Sequence, residues 1–215
     1  MNKQIIRFTK TLTKMRSNSL ALIPLLLLLS SCFQTGQYSE DGSFEVSLGE
    51  SDLQYVPGTV DHLDDPVYME LINTLIEEKT AELTSDADFL RIAKAIAWTE
   101  STWKHYYELN GRYYVHLGDN GNSFGIMQIH QEYHGQHPIL QENLAYGLDF
   151  AEQKHVRARA QDCDTGTNLG SDIVGIARRT YAQYNGGNGA MCRDNDGRDN
   201  NLEAAYYDQP WLDYF

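Results

Sequence analysis

The chain has 215 residues, 17 of them basic and 30 acidic, for a formal net charge of −13. So acidic a body lacks the positive surface that nucleic acid requires, and it has no polybasic grip on anionic lipid.

The first 31 residues read as an address. Lys3, Arg7, Lys10, Lys14 and Arg16 make a basic start with no acidic residue, and Leu20 to Leu29 is an apolar run interrupted only by Pro24. That run is far shorter than the roughly 20 residues a membrane-spanning helix needs, so a secretory signal is expected. Leu29-Ser30-Ser31-Cys32 resembles the bacterial lipobox, in which the cysteine is lipidated and becomes the new N-terminus. Several acyl chains, at about 0.8 kcal/mol per buried CH2, would hold the protein at a membrane. Phe33, rather than Asp, follows the cysteine. In a Gram-negative cell this implies the periplasmic face of the outer membrane.

Removing the signal takes five basic residues and leaves 12 against 30 acidic ones, a net charge of −18, so the anchor alone must provide membrane attachment. Cys163 and Cys192 remain as an even pair in an oxidising compartment, and a disulfide between them is expected.

Residues 32–65 contain Gly36, Gly42, Gly49, Pro57 and Gly58 among Ser, Asp and Glu, without a sustained apolar period, and read as a flexible tether. The remaining chain, 66–215, is long enough for one domain with a sizeable core. Pro66 opens a helix with Tyr68, Leu71, Ile72, Leu75 and Ile76 on one face. Ser85 and Asp86 cap a second, whose stripe runs through Phe89, Ala93, Ile96, Glu100 and Trp103. Residues 110–124 read as loop with a short hairpin at 112–116. Two more helices are expected, from Glu142 to about Arg159 and from Ser171 to Tyr184. The aromatic tail, ending in Trp211, Tyr214 and Phe215, should pack back on the domain. The class is mainly α.

Glu100 is the informative residue. The apolar stripe continues straight onto it, so its carboxyl should emerge at the edge of the core, where desolvation raises the pKa toward that of a general acid. Downstream come Gly118-Asp119-Asn120-Gly121-Asn122-Ser123-Phe124-Gly125-Ile126-Met127-Gln128-Ile129 and Tyr181-Ala182-Gln183-Tyr184-Asn185-Gly186-Gly187-Asn188-Gly189. A Glu-Ser pair ending a helix, then Gly-apolar-Met-Gln-apolar, then Tyr-Asn-x-Gly-x-Gly, in that order over residues 86–190, resembles the soluble lytic transglycosylase and goose-type lysozyme superfamily.

The resemblance implies a lysozyme-like single domain that cuts peptidoglycan glycan strands, with no cofactor. It makes Glu100 the catalytic acid/base and Ser101 a residue steadying the carboxyl or the substrate. Met127 and Gln128 would line the groove, and Tyr184 and Asn185 would reach the flanking sugar, Tyr184 hydrogen-bonding near the carboxyl. Asn143 and Gly147 echo a fold-related Asn-x-x-x-Gly helix. Asp119 matches a goose-type position that helps hold water, where a turn-forming role in an Asp-Asn-Gly loop is equally open; the second acidic position of that family is His130 here. Tyr106, Tyr107, Tyr113 and Tyr114 are either a sugar-stacking platform or plain packing.

Two metal patterns fall short. His130, His134 and His137 cluster without a His-Glu-x-x-His run; the goose-type resemblance implies that His134, following the Met-Gln motif, touches glycan. Asp194, Asp196, Gly197 and Glu203 fit a calcium-loop template in part, but Cys192 stands where the first carboxylate should be. No metal is expected. The function expected is a lytic transglycosylase, with a muramidase using Glu100 and Asp119 as the alternative reaction. A glycan-binding lipoprotein without turnover is the alternative of a different class.

Overall fold

The computed structural model describes residues 36–164, 168, 170–193 and 197–215. Cys32, and Asp194 and Asp196 of the calcium-like run, lie outside them. Over these residues the chain is mainly helical with two small antiparallel sheets.

The segment expected to be a tether is folded where it is described. Strands β1 (Gln37–Tyr38) and β2 (Phe44–Val46) form a hairpin. β2 then pairs with β4 (Arg112–Val115), which pairs with β3 (Tyr106–Leu109), giving the order β1-β2-β4-β3. Phe44 and Val46 are buried in the main core, the Phe44 ring edge-on to Phe124 at 5.0 Å. A short helix α1 (Glu50–Leu53) follows. The buried His62 then donates from Nε2 to the Thr102 carbonyl (2.8 Å). A three-residue strand is too short to show alternation, and its partner lies far downstream, so no local pattern marks it.

Helix α2 (Pro66–Leu83) starts where Asp65 accepts the Tyr68 N–H (3.0 Å) and Pro66 occupies the first turn. Tyr68, Ile72, Leu75 and Ile76 are buried as expected, joined by Met69, whereas Leu71 is only half-buried. Each such apolar side chain contributes about 1.5–3 kcal/mol. Helix α3 (Ala87–Ser101) is capped by Asp86, which accepts from the Asp88 and Phe89 N–H groups. The same carboxylate meets His155 (3.2 Å) and Arg159 of α5 (Leu140–Ala160), tying the start of α3 to that helix. At its other end α3 stops in two left-handed residues, Thr102 (φ 53°) and Trp103 (φ 67°). Burial of Trp103 offsets their strain: its ring stacks on Trp211 (5.3 Å) and its indole N–H donates to the Lys94 carbonyl (3.1 Å). The tail therefore packs where α3 ends, through Trp211 and Tyr214, while Phe215 stays exposed.

The second sheet, β5 (Leu117–Gly118), β6 (Ser123–Phe124) and β7 (Ile129–His130), leads into a short helix α4 (Gln131–His134). Beyond α5 come α6 (Ile173–Gly186) and α7 (Gly197–Asp208). The Cys163–Cys192 disulfide forms and brackets α6. Two buried arginines hold that helix in place. Arg179 donates to the Ala158 and Asn168 carbonyls, and Arg178 pairs with Glu203 of α7. Arg193 meanwhile pairs with the buried Asp199, so two carboxylates of the calcium-like stretch, Asp199 and Glu203, are bound by guanidinium groups. Among the described residues no helix is long and apolar enough to cross a membrane.

Candidate active site

Glu100 lies in the last turn of α3, directly after the fully buried Phe89, Ala93 and Ile96 of its stripe. Its carboxyl emerges where the core meets a cleft of about 860 Å3, a size suited to an extended ligand. Oε1 is sealed from solvent and has no hydrogen-bond partner. Burial raises the pKa from 4.5 to about 7, against the opposing pull of the Tyr181 hydroxyl, the Arg198 guanidinium and the Asn185 side chain. Desolvation outweighs all three. A group poised near neutrality can both give and recover a proton.

The segment 117–134 supplies Asp119, Gln128, His130 and His134 to the cleft, and α6 supplies Tyr181, Tyr184 and Asn185. Gln128 takes a left-handed backbone (φ 47°) and donates from Nε2 to the Gly125 carbonyl (2.7 Å). A Cβ at Gly118 would lie 1.8 Å from its Oε1, which is why the facing strand carries glycine there. Asp119 is also left-handed (φ 49°), and its Oδ2 lies 3.2 Å from His130 Nε2. His130 Nδ1 is buried without a protein partner, as is Asn185 Oδ1. Native interiors seldom leave such atoms unpaired. Glu100 Oε1, His130 Nδ1 and Asn185 Oδ1 all belong to residues that line this one cleft.

Beneath the cleft this loop is fixed by polar anchors. His105 Nδ1 accepts the Ile126 N–H (3.0 Å) and its Nε2 donates to the Pro138 carbonyl (3.1 Å). Burial pushes that imidazole down to about 3, so it stays neutral. Asn143 accepts the Met127 N–H (3.0 Å) and donates to the Phe124 carbonyl (2.8 Å). Gly147 gives Met127 room: a Cβ there would lie 2.5 Å from the methionine Cβ. The Asn-x-x-x-Gly run thus docks the Met-Gln loop on α5.

Two residues expected at the substrate do not line the cleft. Met127 is fully buried, its side chain packed on Gly147. Ser101, expected to steady the carboxyl or the substrate, is buried with Oγ 2.8 Å from the Ile126 carbonyl and 3.1 Å from that of Ala97, so it joins α3 to the loop. The Tyr184 hydroxyl, expected beside the carboxyl, donates to the Met127 carbonyl (2.6 Å); Tyr181, one turn earlier, takes that place beside Glu100. Tyr181, Tyr184 and Asn185 share a helix face at i, i+3, i+4, a signal present in the sequence. Of the tyrosines proposed as a platform, Tyr107 and Tyr114 stack on each other across the first sheet (5.4 Å), and the hydroxyl of the buried Tyr106 accepts the Leu140 N–H (2.9 Å). None of the four lines the cleft.

The three histidines do not converge: His130 faces Asp119, whereas His134 and His137 both meet Tyr146. His134 Nδ1 lies 2.8 Å from the Tyr146 hydroxyl, and the His137 ring stacks on Tyr146 (4.4 Å) while its Nε2 donates to the His134 carbonyl. Among the described residues no group of three or more His, Cys, Asp or Glu is placed to hold a metal ion. Compared with protein-family models, with curated proteins and with solved structures, the chain gives no match.

Proposed function

We propose that this protein is a peptidoglycan lytic transglycosylase with a lysozyme-like domain, cleaving the β-1,4 bond between N-acetylmuramic acid and N-acetylglucosamine. The observation that carries the reading is the desolvated Glu100 carboxyl, its pKa pushed up to about 7, at the edge of a cleft of about 860 Å3 lined largely by polar side chains. Protonated Glu100 donates to the glycosidic oxygen as the bond to C1 breaks, and positive charge develops at C1. The substrate's own N-acetyl group supports that charge. Its 6-hydroxyl then bonds to C1 and returns its proton to the Glu100 carboxylate, leaving a 1,6-anhydro end and a regenerated acid. One essential carboxyl suffices for this route. Acylation of Cys32 would hold the enzyme at the periplasmic face of the outer membrane, beside its substrate.

The Asp119–His130 pair favours a second reading. It lies in the same cleft and offers a place to hold a water, which would make the reaction a hydrolysis. Mass spectrometry of purified peptidoglycan digested by the protein, beside its Glu100→Gln variant, separates the two. Muropeptides ending in 1,6-anhydromuramic acid are expected, and reducing ends carrying added water would replace the first reading by the second. Absence of any Glu100-dependent product would leave a glycan-binding lipoprotein.

A further inference from the structure

Lys154 stands on α5, one turn beyond Phe150, and both line the cleft. The ammonium sits over the Phe150 ring (4.1 Å from its centroid) and donates to Asn188 Oδ1 (3.0 Å) just past the end of α6. Phe150 in turn packs against Tyr184 (5.5 Å). The lysine is therefore held at a fixed place along the wall that carries Tyr184 and Asn185. Lys79 and Lys94 are ion-paired with Glu82 and Glu77, whereas Lys154 has no carboxylate within 4.0 Å among the described residues.

The charge balance of the cleft differs from that of the chain. Its lining holds the cations Lys154 and Arg198 against the carboxyls Glu100 and Asp119, and burial disfavours the charged form of Glu100. The whole chain carries −13. A body so acidic repels an anionic polymer at long range, so capture of one depends on cations placed inside the groove. Neutral sugar rings need no such cation.

We infer that Lys154 is a carboxylate-reading position of the cleft, binding the acidic group borne by the lactyl arm of muramic acid. On intact strands that group is the stem peptide, and on peptide-stripped strands it is the lactyl carboxylate itself. The inference rests on the glycan reading of the site and extends it to substrate choice. A charge-assisted contact on the cleft wall fixes which sugar of an alternating strand faces Glu100, because only every second residue carries the acid.

Equilibrium binding tests this with the full chain carrying Glu100→Gln, so that strands stay whole, with and without Lys154→Met. The three probes are solubilised strands with stem peptides, amidase-stripped strands, and chitohexaose, which has the same backbone and no carboxylate. Lys154→Met should weaken binding to one or both acidic strands about tenfold at low salt, less at high salt, and leave chitohexaose unchanged. Lys154→Arg should restore most of the loss. A loss confined to peptide-bearing strands identifies the stem as the source, and one confined to stripped strands identifies the lactyl group. Equal losses on all three probes, or none on any, would overturn the assignment. Lys154-dependent binding without Glu100-dependent products from the wild type would uphold it and refute the transglycosylase reading instead; no binding to any probe would refute both.

Discussion

Replacing Glu100 by glutamine keeps the side chain's shape and removes its titration, so the pH dependence of the substitution isolates the cost of burying the charge. The carboxyl's pKa is raised from 4.5 to about 7 in the folded protein, which at about 1.36 kcal/mol per unit amounts to roughly 3 kcal/mol. The sign follows from linkage. The unfolded state loses this proton first, so the native state has its full stability below pH 4.5. It then loses stability as pH rises through 7 and levels off above. At pH 8 the wild type bears the whole penalty and Glu100→Gln bears none. The difference in unfolding free energy between the two proteins should therefore shift in favour of the variant by about 3 kcal/mol between pH 4.5 and pH 8. For a domain of this size that is a relative rise of about 6–12 °C in Tm. Differential scanning calorimetry at the two pH values, at constant ionic strength, reads it directly. A Tm difference that is the same at both would refute the desolvated carboxyl, whatever the variant does to activity. Loss of turnover together with gain of stability is the pattern expected where function requires a costly group.

Tyr181→Phe removes a hydroxyl that favours the charged form of Glu100. The carboxyl should then hold its proton to higher pH, and the alkaline limb of kcat/KM should move upward from about 7; an unmoved limb would detach Tyr181 from the site. Cys163→Ser with Cys192→Ser opens a link spanning 29 residues around α6. This should lower the unfolding free energy by about 2–4 kcal/mol, measured by urea denaturation at pH 7, and activity should fall with it because Tyr181, Tyr184 and Asn185 all lie on the bracketed helix. An unchanged midpoint would show that Arg178 and Arg179 hold α6 without the disulfide.

Helical periodicity carried the sequence reading furthest. The stripe Phe89, Ala93, Ile96 places Glu100 correctly because these four lie on one continuous helix, whereas Trp103, expected on the same stripe, lies past its end; Pro66 and Asp86 mark helix starts by a local rule. Where the organising contact is remote, the sequence is silent. β1 and β2 look like a polar tether because β2, on which β1 is registered, takes its own register from the distant β4. Order of motifs likewise located the Met-Gln loop without saying which way each side chain turns. A left-handed Gln128 rotates its own side chain toward the cleft and leaves Met127 facing α5. Lys154 and Arg198 escaped notice because neither belongs to a motif; their meaning comes from the cleft they share.

Several strained positions of this molecule gather with its rigid anchors around the cleft. Thr102, Trp103, Asp119 and Gln128 all hold left-handed backbones, each at a cost of order 1–3 kcal/mol, and the charge on Glu100 adds its own. Strain of that kind persists only where the surroundings over-determine it. Here the Trp103–Trp211 stack fixes the end of α3, His105 and Asn143 fix the loop from below, and the Ser101 and Tyr184 hydroxyls tie that loop to α3 and α6 through the carbonyls of Ile126 and Met127. These last two bonds explain why Ser101 and Tyr184 flank the reactive carboxyl without touching it. They set the distance between Glu100 and the wall bearing Gln128, and on the function proposed above, holding a sugar against one particular oxygen depends on that distance more than on any further contact to the ligand.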